Sequence, residues 1–144
     1  MVAPEFELIQ THYSAHQGAA PSVHLGIGDD CALLMPNAGD LLAITTDTLV
    51  SGVHFPADGP PEQIGQRALR VNLSDLAAMG AQPRWMLLAL TLPTADEAWL
   101  AGFSRGLFAA ATRWGVALVG GDTTRGPLSI TLTLIGTVPA GQAL

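Results

Sequence analysis

Leu41-Leu42-Ala43-Ile44-Thr45-Thr46-Asp47-Thr48-Leu49-Val50 and, past a Pro/Gly-rich connection over residues 55–61, Glu62-Gln63-Ile64-Gly65-Gln66-Arg67-Ala68-Leu69-Arg70-Val71-Asn72-Leu73-Ser74-Asp75-Leu76-Ala77-Ala78-Met79-Gly80 are the runs that decide the fold class. The first is apolar and threonine-rich, as a strand should be. The second has helical spacing: at about 100° per residue, Ile64, Ala68, Val71, Asp75 and Met79 fall within one narrow arc. Gly80 supplies the stop. Upstream, residues 5–17 read as a short helix, with Pro4 at its first position, Glu5 and Glu7 at the positive end of the dipole and Gly18 at the exit. His24 to Gly28 and Cys31 to Met35 are short strand candidates. The turn Pro36-Asn37-Ala38-Gly39 predicts a hairpin between the second of these and the threonine-rich strand. Downstream come a strand over Trp85–Leu92 and a helix opened by Thr94, which forms a capping box with Glu97, running to about Trp114 before Gly115. A short buried strand over Val116–Val119 follows. A last strand from Pro127 or Leu128 to Val138 alternates Thr with Leu and Ile, the sign of one wet face. The order α-β-β-β-α-β-α-β-β predicts an α+β fold, with a mixed, mainly antiparallel sheet and helices on one face.

Composition narrows the chemistry. The chain has 144 residues, of which 49% are hydrophobic and 12% charged, enough apolar content for a real core. The net charge is −6, which argues against nucleic acid as a partner. The six basic residues are all arginine, so Schiff-base and P-loop lysine chemistry are excluded. A bound phosphate needs Arg, backbone N–H groups or a metal ion. Cys31 is the single cysteine, which excludes an internal disulfide and a Cys-rich zinc site. The N-terminus lacks the layout of a signal peptide, and no apolar run reaches the roughly 18–20 residues that span a bilayer. A cytoplasmic protein without a membrane partner is expected.

The aspartates carry the chemical signal. Asp29 and Asp30 follow Gly26-Ile27-Gly28, Asp47 interrupts an apolar strand, and Asp122 follows Gly120-Gly121. Asp75 projects from the apolar arc, where a charge is costly unless paired or metal-bound. Each has a plainer reading. Asp29-Asp30 alone is better read as a turn or helix cap. Ser74 as an N-cap makes Asp75 an ordinary first-turn acid. Asp47 fits a bulge on an edge strand, and Gly120-Gly121-Asp122 fits a tight turn. Together, in a chain with few charges and with Thr beside the acids, they point to Mg²⁺-type ions, several of them, beside a polyphosphate. The histidines lack a zinc spacing. His54 reads as a packed loop residue or a substrate contact, and Arg125 as a phosphate contact or a solvated loop residue.

The runs Gly26-Ile27-Gly28-Asp29-Asp30, Thr45 to Val50, Gly52-Val53-His54-Phe55, Asn72 to Ala81 and Gly120-Gly121-Asp122-Thr123-Thr124, in this order, resemble the thiamine-monophosphate kinase family. Its superfamily includes aminoimidazole ribonucleotide synthetase. The resemblance covers about residues 26–126. It implies the synthetase-like N-terminal-domain fold and ATP-dependent phosphorylation of thiamine monophosphate to thiamine diphosphate by direct in-line transfer. It further implies Asp30, Thr45, Thr46, Asp47, Asp75 and Asp122 as magnesium ligands, with Asp29 as a further one. Gly121 and Asp122 are the implied nucleotide contact and His54 the substrate contact. The family forms homodimers through this domain and carries a second, C-terminal domain. Residues 1–138 are thus expected to be the metal- and ATP-binding dimerisation domain, and 139–144 the start of a linker. Two alternatives remain: a non-catalytic dimerisation module and a hydrogenase-maturation-type ATP-binding relative.

Overall fold

Strand β3 (Asp40–Val50) shows why the threonine-rich run is a strand, and its partner is not the expected one. In the computed structural model, which describes residues 22–25 and 31–144, β3 pairs antiparallel with the last strand, β6 (Ser129–Pro139), from Asp40↔Pro139 to Val50↔Ser129. The hairpin with the preceding strand does not form. That strand, β2 (Leu33–Leu34), pairs instead with β1 (Val23–Leu25) in a separate two-stranded sheet. The physical reason is pattern matching. Ala43, Thr45, Asp47 and Leu49 stand opposite Gly136, Leu134, Leu132 and Ile130, so β3 places its alternation against the long, buried ladder of β6. Two residues of β2 have no comparable face to offer. The helix expected over residues 5–17 and the Gly26–Asp30 run, with Asp29 and Asp30, lie outside the described residues.

Helix α1 (Pro61–Ala78) follows, then β4 (Gln82–Leu92), helix α2 (Glu97–Trp114) and β5 (Ala117–Arg125). The four-stranded sheet has the order β3-β6-β4-β5. Both pairs made by β6 are antiparallel and β4–β5 is parallel, with α2 as the crossover that a parallel pair requires. The mixed, mainly antiparallel α+β sheet is as expected. Leu69 and Leu76 of α1 and Leu100, Phe103 and Leu107 of α2 join Met86, Leu88, Leu90, Ile130, Leu132 and Leu134 in one core. The helices cross closely because glycines face each other's backbone: a Cβ on Gly106 would meet the Glu62 carbonyl, and one on Gly65 the Phe103 carbonyl.

Several local expectations are corrected. The buried face of α1 is Ile64, Gly65, Ala68, Leu69, Asn72 and Leu76, rotated from the predicted arc. Asp75 and Met79, at the end of that arc, are exposed. The polar group inside the core is Asn72, fully buried, whose Nδ2 donates to the Ala68 carbonyl at 3.2 Å. The cap of α2 is Asp96, accepting from the Trp99 amide at 3.1 Å, and not Thr94. The Val116–Val119 strand extends to Arg125, so Gly120-Gly121-Asp122 is strand and not turn. Gly121, at φ 147°, lies so close to β4 that a Cβ would strike the Leu88 carbonyl.

The face of the sheet away from the helices is partly open. Trp85 is covered there, its indole donating to Ser22 Oγ at 3.1 Å. On β3, Leu42 and Ile44 are exposed at 48% and 63%. Thr46 and Thr48 join Thr133 and Thr131 in cross-strand hydroxyl pairs of 3.0 and 2.8 Å.

Candidate active site

Alternation along β3 sends Thr45 and Asp47 toward α1, and the rotation of α1 brings Asp75 to meet them. Thr45 Oγ1 donates to Asp75 Oδ2 at 3.3 Å. Asp47 is half-buried and its carboxyl is held above the ordinary value. Desolvation is the main cause, followed by the negative charge of Asp75 and a hydrogen bond shared with it, while His54 opposes the rise. Two carboxyls share a site at the sheet edge, and among the described residues no arginine forms an ion pair with either. The ion pair found among those residues is Arg105 with Glu62, at 3.9 Å.

His54 is placed by the loop after β3. Gly52, at φ 80°, turns the chain, its amide donates to the Phe55 carbonyl at 2.7 Å, and buried Phe55 anchors the far end. The Val50 amide donates to His54 Nδ1 at 2.9 Å. In the neutral ring the hydrogen therefore sits on Nε2, which is left as an outward donor. The sequence placed His54 near the site but gave no sign of this fixed tautomer, since the bond is to backbone.

The other expected residues are not all gathered here. Thr46 points to the open face, where its hydroxyl donates to the Leu132 carbonyl at 3.3 Å and accepts from Thr133. Asp122, on β5, the opposite edge strand from β3, pairs in register with Ala89 of β4. Three strand spacings, about 14 Å, separate the two edges. Gly121 lies in the cross-sheet row that runs Asp47, Leu132, Leu88, Gly121. Asp30 lies outside the described residues, and Arg125 ends β5. Among the described residues no group of three or more His, Cys, Asp or Glu side chains is placed to hold a metal ion. The donor set at the carboxyl pair is nonetheless all hard oxygen, with a raised carboxyl that a cation would relieve, and so fits Mg²⁺.

Among the described residues no helix is long and apolar enough to cross a membrane. Residues 28–138 match the family described as AIR synthase related protein, N-terminal domain. Across all of its 144 residues the chain is 54% identical to the thiamine-monophosphate kinase of Escherichia coli strain K12, and it spans 44% of that protein's length. The crystal structure of thiamine-monophosphate kinase from Stenotrophomonas maltophilia K279a superposes with a TM-score of 0.86 at 50% identity, over 99% of this chain and 44% of that one. A structure described as AaThiL complexed with AMPPCP and TMP gives a TM-score of 0.68 at 35% identity, over 78% of this chain and 37% of that one. A hydrogenase maturation protein, HypE in complex with ATP, gives 0.75 at 26% identity, over 96% of this chain and 41% of that one.

Proposed function

The chain belongs to the AIR synthase related protein family through its N-terminal domain, and from that premise we propose that it is the metal- and nucleotide-binding part of a cytoplasmic thiamine-monophosphate kinase. The observation that carries this reading is the Asp47–Asp75 pair, two carboxyls that share a hydrogen bond, with Thr45 Oγ1 donating to Asp75 and, among the described residues, no arginine ion-paired to either. Support comes from the 54% identity to a thiamine-monophosphate kinase and from a related structure described with an ATP analogue and TMP. The same similarity favours this family over the hydrogenase maturation proteins, which share the fold at 26% identity.

In this reading Asp47, Asp75 and Thr45 would hold Mg²⁺, with Asp30 and Asp122 added to the ligand set, Thr46 able to offer only its backbone carbonyl because its hydroxyl faces the other side, and Gly121 and Asp122 at the nucleotide. Mg²⁺ held by these residues would supply the charge neutralisation of the triphosphate, a task for which this lysine-free chain has no ammonium group. His54 donates its Nε2–H to the substrate phosphate. An oxygen of the thiamine monophosphate phosphate attacks the γ-phosphorus in line, the bond to the β,γ-bridging oxygen breaks, and ADP leaves. No base is needed, because the attacking phosphate is already ionised at neutral pH.

Homodimerisation through the open face would bring Asp122 of one copy to the β3 edge of the other. Two sheets stacked about 10 Å apart, related by a two-fold axis along the strands, set the β5 edge of one copy over the β3 edge of the other. Asp122 of the partner subunit then lies over the Thr46 and Thr48 side of that edge, across the sheet from Asp47 and Asp75. The test is transfer of a labelled γ-phosphoryl group from ATP to thiamine monophosphate, by this chain alone and together with the C-terminal part of a relative. Product that disappears in Asp47→Asn and Asp75→Asn is expected. Full product formation by Asp75→Asn overturns the assignment, and no product from the combined parts favours a purely structural module.

A further inference from the structure

A second concave site lies on the other side of α1. A groove of about 640 Å³ is walled by α1, the start of β4 and the last turn of α2. Its floor and walls are Leu73, Ala77, Ala81, Pro83 and Trp114, and Arg70 and Arg113 line its rim. The volume is that of a small-molecule pocket. The groove is independent of the carboxyl pair. At about 100° per residue the α1 stripe of Arg70, Leu73, Ser74 and Ala77 points roughly 150° away from Asp75.

Two features of this groove are unexplained by folding. Among the described residues, neither Arg70 nor Arg113 has a carboxylate partner, although the chain carries a net charge of −6. The dipole at the C-terminal end of α2 accounts for a cation at Arg113 but not for Arg70, which sits in the middle of α1. Trp114 is 49% exposed beside these cations, with the Arg113 guanidinium 5.5 Å from its ring centroid. A flat aromatic wall, an apolar floor and two exposed guanidiniums without a carboxylate partner among the described residues together match one ligand chemistry. We propose that this groove binds a planar aromatic anion, its ring against the Trp114 indole and its phosphate or carboxylate between Arg70 and Arg113. The guanidiniums offer the forked donors that such groups accept, and the indole supplies the stacking surface.

The probe is 1-naphthyl phosphate, titrated in metal-free buffer and followed by tryptophan fluorescence and calorimetry. Metal-free conditions keep the probe from being held through cations at Asp47 and Asp75. One saturable site is expected, weakened about tenfold or more in Arg70→Gln/Arg113→Gln and in Trp114→Leu, and the same in Asp75→Asn. Circular dichroism of each variant separates lost binding from lost folding, since all three side chains are exposed. Equal binding of neutral 1-naphthol overturns the anionic half of the proposal, and equal binding of inorganic phosphate overturns the aromatic half. Absence of saturable binding, insensitivity to the double arginine variant, or loss of binding in Asp75→Asn overturns it entirely. None of these outcomes bears on the kinase reading.

Discussion

Asp47 is a residue whose position works against the metal-free fold. Its carboxyl is raised above the ordinary 3.8 by desolvation and by Asp75. A raised carboxyl binds protons more readily in the folded chain than in the unfolded one. Its favourable contribution is therefore full below pH 3.8 and is lost as pH rises through the higher folded value. In metal-free buffer, the wild type should lose thermal stability across that window relative to Asp47→Asn. At neutral pH the variant should be the more stable by about 0.5 kcal/mol, the scale of partly exposed charge pairs. Mg²⁺ should then reverse the order, stabilising the wild type and leaving Asp47→Asn unmoved. Thermal melts with and without Mg²⁺ at several pH values check both halves, and equal Mg²⁺ stabilisation of the two proteins sinks the metal assignment. Thr45→Val removes the hydroxyl that donates to Asp75. It should weaken the Mg²⁺ response without abolishing it, because both carboxylates remain.

At the scale of elements, the helix ends and the helix crossing give the sharpest predictions. Asp96→Ala removes the side-chain cap of α2 and should cost about 1 kcal/mol in a denaturant melt, while Thr94→Ala should change stability by less than about 0.5 kcal/mol. Gly106→Ala drives a methyl into the Glu62 backbone, a rigid obstacle, and should cost about 3 kcal/mol or more. A melt within about 1 kcal/mol of wild type would show that the two helices can separate at this crossing. Element identity was legible in the sequence because it depends on local signals, such as the alternation of β6, the spacing of α1 and the glycine that ends α2 at φ 70°. Pairing was not legible. Nothing local in Leu33–Leu34 tells that β3 will choose a strand that begins at Ser129, since that choice depends on matching two faces across the whole chain. The misjudged arc of α1 has a similar origin. Periodicity fixes which residues share a face, but the burial of Asn72 in place of Asp75 is set by where the sheet lies.

For the whole molecule, the described acidic residues that the sequence singled out fall into two groups at opposite edges of one sheet. Asp47 and Asp75 meet through tertiary packing, whereas Asp122 lies about 14 Å across the strands. In the proposed two-fold pair packed through open faces, the partner's Asp122 would reach the β3 edge on its Thr46 and Thr48 side. The exposed Leu42 and Ile44 on the edge strand supply apolar surface for such packing. Mixed subunits of a full-length kinase test whether Asp122 serves its own site or the partner's. Asp75→Asn and Asp122→Asn should each be inactive alone. If the proposed dimer forms and Asp122 serves the partner's site, equal amounts refolded together give mixed dimers in which one site collects both substitutions and the other collects neither. Half of the dimers are mixed and half of their sites are intact, so about a quarter of wild-type activity should return. If Asp122 instead serves the site of its own chain, both sites of every mixed dimer carry a defect and no activity returns.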